Sequence, residues 1–142
     1  MPATRVSAID AIETSVQKTN HWINEISDEL KVEKHDAYRI LRAYLHTIRD
    51  RLNVDENAQL AAQLPMVVRG IYFEGWSPRK GPEKLKAEEF IEIFSARADL
   101  PDEVVAEDAL RSCTQLLRRH ASEGETEDVL STMPKDLRRV LE

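Results

Sequence analysis

The chain has 142 residues, 42% hydrophobic and 32% charged, with a net charge of −6. A chain of this length buries about 70% of the surface its unfolded form exposes, so a core forms without metal or disulfide support. The acidic balance opposes indiscriminate attraction to nucleic acid or an anionic membrane. A single cysteine, Cys113, excludes an internal disulfide and the paired thiols of a structural zinc site. Only four glycines and six prolines interrupt a sequence rich in Ala, Leu, Glu and Arg, a helix-forming composition. No run of 18 apolar residues occurs, and the opening "MPATRVSAIDAIE" lacks the basic-then-apolar layout of a leader. The expectation is a cytoplasmic protein with no membrane segment.

In chain order, Ile9, Ile12, Val16, Ile23, Ile26 and Leu30 recur in alternating steps of three and four, with polar Thr19 in the remaining slot. This predicts a long N-terminal helix with that seam as its apolar face. Ser15, Asn20, Trp22 and Ser27 flank the seam where a coiled coil would carry paired Glu and Lys, so the helix is expected to lie on its own domain. Next, "DAYRILRAYLHTIRDRL" places Ala37, Leu41, Tyr44, Leu45, Ile48 and Leu52 on one face, with Asp36 predicted as its N-cap. A short helix over "DENAQLAAQL" follows. Pro65 suits the first position of another, "PMVVRGIYF". Gly70 inside that segment costs about 1 kcal/mol relative to alanine, which predicts a close approach there.

The second half echoes the first. "EEFIEIF" pairs Phe90 with Trp22 and Phe94 with Ile26, and "DALRSCTQLL" pairs Ala109 with Ala37 and Leu117 with Leu45. "VLSTMPKDLRRVL" pairs Pro134 with Pro65, Leu137 with Val68 and Arg138 with Arg69. The offsets are 68, 72 and 69 residues. The predicted fold is therefore all-α: a single domain over 1–142, a helical bundle of two pseudo-repeats of three to four helices each, with the long N-terminal helix. Repeat one covers about 14–76, a Gly-, Pro- and Ser-rich connector 77–86, and repeat two about 87–142.

The stretch "RAYLHTIRDRLNVDENAQLAAQLPMVVRGIYFEGW" closely resembles the bacterial domain-of-unknown-function family 2267. The resemblance continues through "KAEEFIEIFSARADLPDEVVAEDALRSC" and "SEGETEDVLSTMPKDLRRVLE", so it covers roughly residues 14–142. His46-Thr47-Ile48 stands where His-Ala-Leu is more usual, and Tyr72-Phe73 where a Tyr pair is. The resemblance implies an all-helical bacterial cytoplasmic protein. It carries no established activity.

Chemistry-bearing patterns are sparse. His21, His35, His46 and His120 include no pair at i, i+3 or i+4, and no Glu-x-x-His occurs, so neither a metal nor another cofactor is expected. His21 with Glu25, and His46 with Asp50, read as hydrogen-bonding partners on shared helix faces. Cys113 pairs with Leu41 of the first repeat and reads as a buried thiol. No nucleophile elbow, P-loop or dinucleotide motif is present, and Glu88, Glu89 and Glu92 read as a solvated face. The chain is expected not to be an enzyme. Arg39 and Arg111, each one turn after Asp36 and Asp108, read as duplicated ion pairs, and Arg69 with Arg138 as duplicated helix-end contacts.

Two features point to partners. Tyr72, Phe73, Glu74 and Trp76, with Arg69, cluster at the end of repeat one and are the candidate partner-binding residues, lining a shallow groove with Phe73 or Trp76 buried at the joint. In a continuous helix Tyr72 and Trp76 would share a face, with Phe73 pointing elsewhere. Charge is segregated: Arg79, Lys80, Lys84 and Lys86 form a basic patch against Glu83 alone, while "DLPDEVVAED" and "ASEGETED" carry acids with no base. The reading is an interaction or regulatory module with an unidentified protein partner. The alternatives are nucleic-acid binding through Arg39, Arg42, Arg49 and the basic patch, which the net charge opposes, and an enzyme with a cryptic pocket between the repeats. A homodimer along the N-terminal seam is also expected.

Overall fold

The computed structural model describes residues 3–142, with side chains from Ile9 onward. Among the described residues there are eight α-helices, one 3-10 turn and no strand. Helix α1 spans Ala3–Leu30, α2 Lys34–Arg51, α3 Val54–Ala61 and α4 Met66–Phe73. After the 3-10 turn Pro78–Lys80 come α5 Ala87–Ala98, α6 Ala106–His120, α7 Glu123–Ser131 and α8 Lys135–Leu141. The protein is an all-α helical bundle, as its composition and periodicity predict.

Helices α2 and α6 lie at its centre. Each of α1 and α5 packs on both, α4 joins α1 and α2, α8 joins α5 and α6, and α3 meets α7. These packings pair off between the halves, but α7 also packs on α6 and α8, with no equally close counterpart of α3 on α2 or α4. Positions paired by the sequence offsets are buried alike, among them Trp22 and Phe90, Ile26 and Phe94, Leu41 and Cys113, and Val68 and Leu137. Where α2 and α6 meet, the Tyr44 hydroxyl and Thr114 Oγ1 share a hydrogen bond of 2.8 Å in the core. Burial pushes the Tyr44 phenol far above its usual range, so this bond joins neutral groups.

The short helices begin with paired devices. The Asn53 side chain accepts the Glu56 amide at 2.8 Å while the Glu56 carboxylate accepts the Asn53 amide at 2.9 Å, a full capping box. Ser122 accepts the Glu125 amide at 3.1 Å in the same position of α7. Pro65 and Pro134 each precede a helix, and their carbonyls take the amides of Arg69 and Arg138 at 2.8 Å. They flank α4 and α8 instead of opening them, a shift of one position from the sequence reading.

Three expectations are corrected. First, α1 turns Ser15, Thr19, Trp22 and Ile26 inward, and leaves Ile9, Ile12 and Val16 53%, 58% and 45% exposed. Ser15 Oγ accepts the Val67 amide at 2.9 Å, and Thr19 Oγ1 donates to the Ser15 carbonyl at 2.8 Å. The small polar face lets the start of α4 seat against α1, which a row of isoleucines would hold away. Second, Asp36 is not a cap. Glu33 precedes the helix, and Asp36 in the first turn pairs with Arg39 at 2.5 Å. Third, Gly70 has no close neighbour; a Cβ there would meet nothing within 4 Å.

Candidate interaction site at the joint

The end of α2, the end of α4 and the chain that follows converge on one buried guanidinium. Arg49 is 5% exposed. Its Nη1 donates to the carbonyls of Tyr72 at 2.9 Å and Glu74 at 2.8 Å, and its Nε donates to Asp50 Oδ1 at 3.0 Å. Those carbonyls end α4 and lack helical partners, so a cation there satisfies both charge and hydrogen bonding. Asp50 is shared. Its Oδ2 takes Arg97 Nη2 from α5 at 2.7 Å, and its backbone carbonyl accepts the Glu83 amide at 2.8 Å. One helix end thus ties down α4, α5 and the connector.

Tyr72 is fully buried, and its hydroxyl donates to Asn57 Oδ1. The Asn57 amide donates to the carbonyls of Arg49 at 3.0 Å and Leu52 at 3.2 Å, closing the end of α2. Burial drives the Tyr72 phenol far above its ordinary range, so it stays a neutral donor. His46 Nε2 meets the Ile71 carbonyl at 2.7 Å. A carbonyl only accepts, so Nε2 carries the hydrogen. Burial, and then the nearby cations of Arg49, Arg42 and Arg97, hold the His46 imidazole below its usual value despite that bond.

The helix stops at Phe73. Gly75 adopts φ +72°, a left-handed value that glycine takes without strain. The turn brings the Trp76 amide onto the Phe73 carbonyl at 3.1 Å and the two rings to 5.2 Å between centroids. Phe73 in turn meets Tyr72 edge-on, also at 5.2 Å. Beside Trp76 lies a cavity of about 160 Å³ whose walls include Arg49, Asp50, Lys80, Glu83 and Arg97.

This geometry divides the candidate residues. Tyr72 is a core residue, not a partner contact, because its hydroxyl is consumed by Asn57 and its ring is sealed. Arg69 is likewise a clamp: Nε donates to the Ala61 carbonyl at 2.9 Å and Nη2 to the Leu64 carbonyl at 3.1 Å, closing the end of α3. Phe73 and Trp76 stack half-buried, because the turn at Gly75 replaces the continuous helix that would have separated them; neither is sealed at the joint as expected. Glu74 is exposed and held by Arg42 at 2.7 Å. Arg79, Lys80, Lys84 and Lys86 are exposed and form no ion pair among the described residues. Of the wider cationic set weighed for nucleic acid, Arg39 pairs with Asp36, Arg42 pairs with Glu74, and Arg49 is buried.

Elsewhere, Arg111 lies 3.5 Å from Asp108, matching the Arg39–Asp36 pair. Arg138 binds Glu142 at 2.8 Å and also Glu127. Cys113 is buried, and burial pushes its thiol far above the nucleophilic range. The histidine pairings differ from expectation: Glu25 is taken by His120 at 2.5 Å, and His46 is taken by Ile71. Glu33, His35 and Asp36 come together at the start of α2, the first two exposed and Asp36 half-buried and already committed to Arg39. Sequence reading missed the Arg49–Asp50–Arg97 network. Its signal was a basic residue one turn after Leu45 within the apolar face of α2.

Fold and site define an all-helical protein whose joint carries mutually satisfied charges under an aromatic surface. The chain belongs to the family described as uncharacterized conserved protein (DUF2267), whose family model matches residues 19–140. No curated protein matches it. No described helix is long and apolar enough to cross a membrane.

Proposed function

We propose that this chain is a non-enzymatic interaction module that docks an acidic segment of a partner protein on the joint. The observation that supports this is the pairing of a half-exposed Phe73–Trp76 stack with four connector cations that have no ion partner among the described residues. Aromatic surface supplies apolar area, and unpaired cations supply steering and register. The buried Arg49 network holds the platform still, so little ordering cost falls on binding. The small cavity beside Trp76 suits one side chain of such a segment. In its wall Arg49, Asp50 and Arg97 are spent on one another, which supports binding over acid–base chemistry.

The test is binding of a fluorescent Glu-rich peptide carrying one aromatic residue. Trp76→Ala and the double charge reversal Arg79→Glu, Lys80→Glu are each expected to weaken binding at least tenfold, with the circular dichroism of the fold unchanged. Equal affinity in all three proteins refutes the reading. Retention of a DNA oligonucleotide in a low-salt gel shift, weakening steeply with salt, would favour nucleic acid in its place.

A second reading has its own observation. Ile9, Ile12 and Val16 form an exposed i, i+3, i+7 stripe, the pattern one helix offers another. A second copy of this chain presents the same stripe, so two copies pack antiparallel about a twofold axis. Light scattering should give a dimer mass that Ile12→Glu reduces to a monomer. A monomeric mass for the unsubstituted chain rejects it.

A further inference from the structure

A second cavity, about 420 Å³, opens between the middle of α1, the end of α6 and the loop before α4. Its volume falls within the range of small-molecule sites, roughly 300–1,000 Å³. The residues around it include Lys18, His21, Gln17, Gln63, Trp22 and His120, and none of its lining residues is acidic.

The joint cavity and this one differ in how their polar groups are used. At the joint, Arg49, Asp50 and Arg97 satisfy one another. Here the side chains of Lys18, His21, Gln17 and Gln63 have no hydrogen-bond or ion partner among the described residues. For exposed side chains water explains this. The Trp22 ring is only 2% exposed, yet its N–H is not sealed off; with no acceptor among the described residues, it is left to meet water in the cavity that Trp22 lines.

His120 is set in place from behind. Its ring stacks on Trp22 at 5.3 Å between centroids, and its Nε2 lies 2.5 Å from the Glu25 carboxylate. Arg119 Nε donates to the same carboxylate at 3.2 Å. A carboxylate accepts, so His120 Nε2 carries the hydrogen, and the ring is held by stacking on one side and a charge-assisted bond at its edge. The pocket therefore presents an ammonium, the His21 imidazole, two primary amides and an indole N–H; none of its lining residues is acidic, and His120 Nε2 is spent on Glu25 behind it.

We propose that this pocket binds a small organic oxyanion, a carboxylate or phosphate compound whose oxygens accept from Lys18, the Trp22 indole N–H and the flanking amides. The site is separate from the joint, so its occupancy does not depend on partner docking there.

The experiment follows the indole N–H resonances of the ¹⁵N-labelled full chain during titration with inorganic phosphate and, separately, succinate, at constant ionic strength. The chain has two tryptophans, and Trp76→Phe assigns the Trp22 peak. The expected result is a saturable shift of the Trp22 peak with at least one of the two anions, half-complete at millimolar concentration or below, on the order of −4 kcal/mol or better. The stronger anion distinguishes phosphate from carboxylate ligands. Lys18→Glu and Gln63→Glu each put a carboxylate into the lining and are expected to weaken that binding at least tenfold, with the amide spectrum otherwise retained. A Trp22 peak that moves no more than in sodium chloride overturns the proposal, and so does a shift that both variants preserve.

Discussion

Two corners of the molecule occupy positions paired by the sequence offsets, yet they are held by different forces. In the first, between α2, α3 and α4, Arg49, Asn57 and Tyr72 form a buried polar clamp. In the second, between α6, α7 and α8, the paired positions are Ala121, Thr126 and Leu141. Thr126 bonds only to the Ser122 carbonyl within its own helix, at 3.3 Å, and Leu141 is sealed by packing. One corner thus rests on hydrogen bonds and the other on apolar packing. What the polar corner adds is direction. Its donors end α4 at a defined residue and aim the aromatic turn and connector outward, which apolar packing alone does not do.

The largest expected effect that would break this contrast is at Arg49. Arg49→Ala leaves the Tyr72 and Glu74 carbonyls and the Asp50 carboxylate short of a buried partner, and is expected to cost about 3 kcal/mol. Guanidinium unfolding measures it. A loss below about 1 kcal/mol would mean that the first corner is held by packing, as the second is.

A smaller effect separates the corners by pH. His46 is paired by offset with Arg118, which bonds to Glu142 at 3.4 Å. His46 is held below its ordinary value of 6.5 in the folded chain, chiefly by burial. Between that value and the lower folded one, the unfolded chain binds the extra proton, so stability is fully present above about 6.5 and declines as pH falls. Melting temperatures between pH 7.5 and 5.5 should therefore fall more steeply for the unsubstituted chain than for His46→Gln, whose amide donates the same bond without titrating. Parallel curves would place the pH sensitivity elsewhere.

The smallest effect sharpens the comparison at the helix surface. Gly70 of α4 is paired by offset with Arg139 of α8, and both are exposed. With open space around the Cβ position, Gly70→Ala is expected to stabilise the chain by about 0.5–1 kcal/mol, by restricting the unfolded state and favouring helix. Gly75→Ala, at φ +72°, is expected to destabilise it. Urea midpoints for the pair should move in opposite directions, and movement in the same direction would show that the α4 end is not conformationally fixed as described.

The helices, their order and most of their inward residues were legible because they rest on local chemistry. Periodicity marks a face, and Pro65 and Pro134 mark boundaries within one residue; the caps Asn53 and Ser122 went unread, and Asp36, the one cap expected, is not one. The inward face of α1 was not legible. Its isoleucines make the stronger apolar signal, but Ser15 and Thr19 are what α4 can approach. The aromatic cluster was visible as a cluster; its division into sealed Tyr72 and half-exposed Phe73 and Trp76 was not, since that depends on where α4 stops.

By itself the sequence determined an all-helical chain without cysteine pairing, with two echoing halves and a basic connector, because composition, period and capping act over a few residues at a time. Only the tertiary structure decided which polar groups are spent and which are free. Arg49 meets carbonyls more than twenty residues away, Arg97 reaches Asp50 across 47 positions, and Glu25 holds His120 across 95. A hydrogen bond between distant residues has no local signature, because its partners are chosen by which helix ends the packed core brings within about 3 Å.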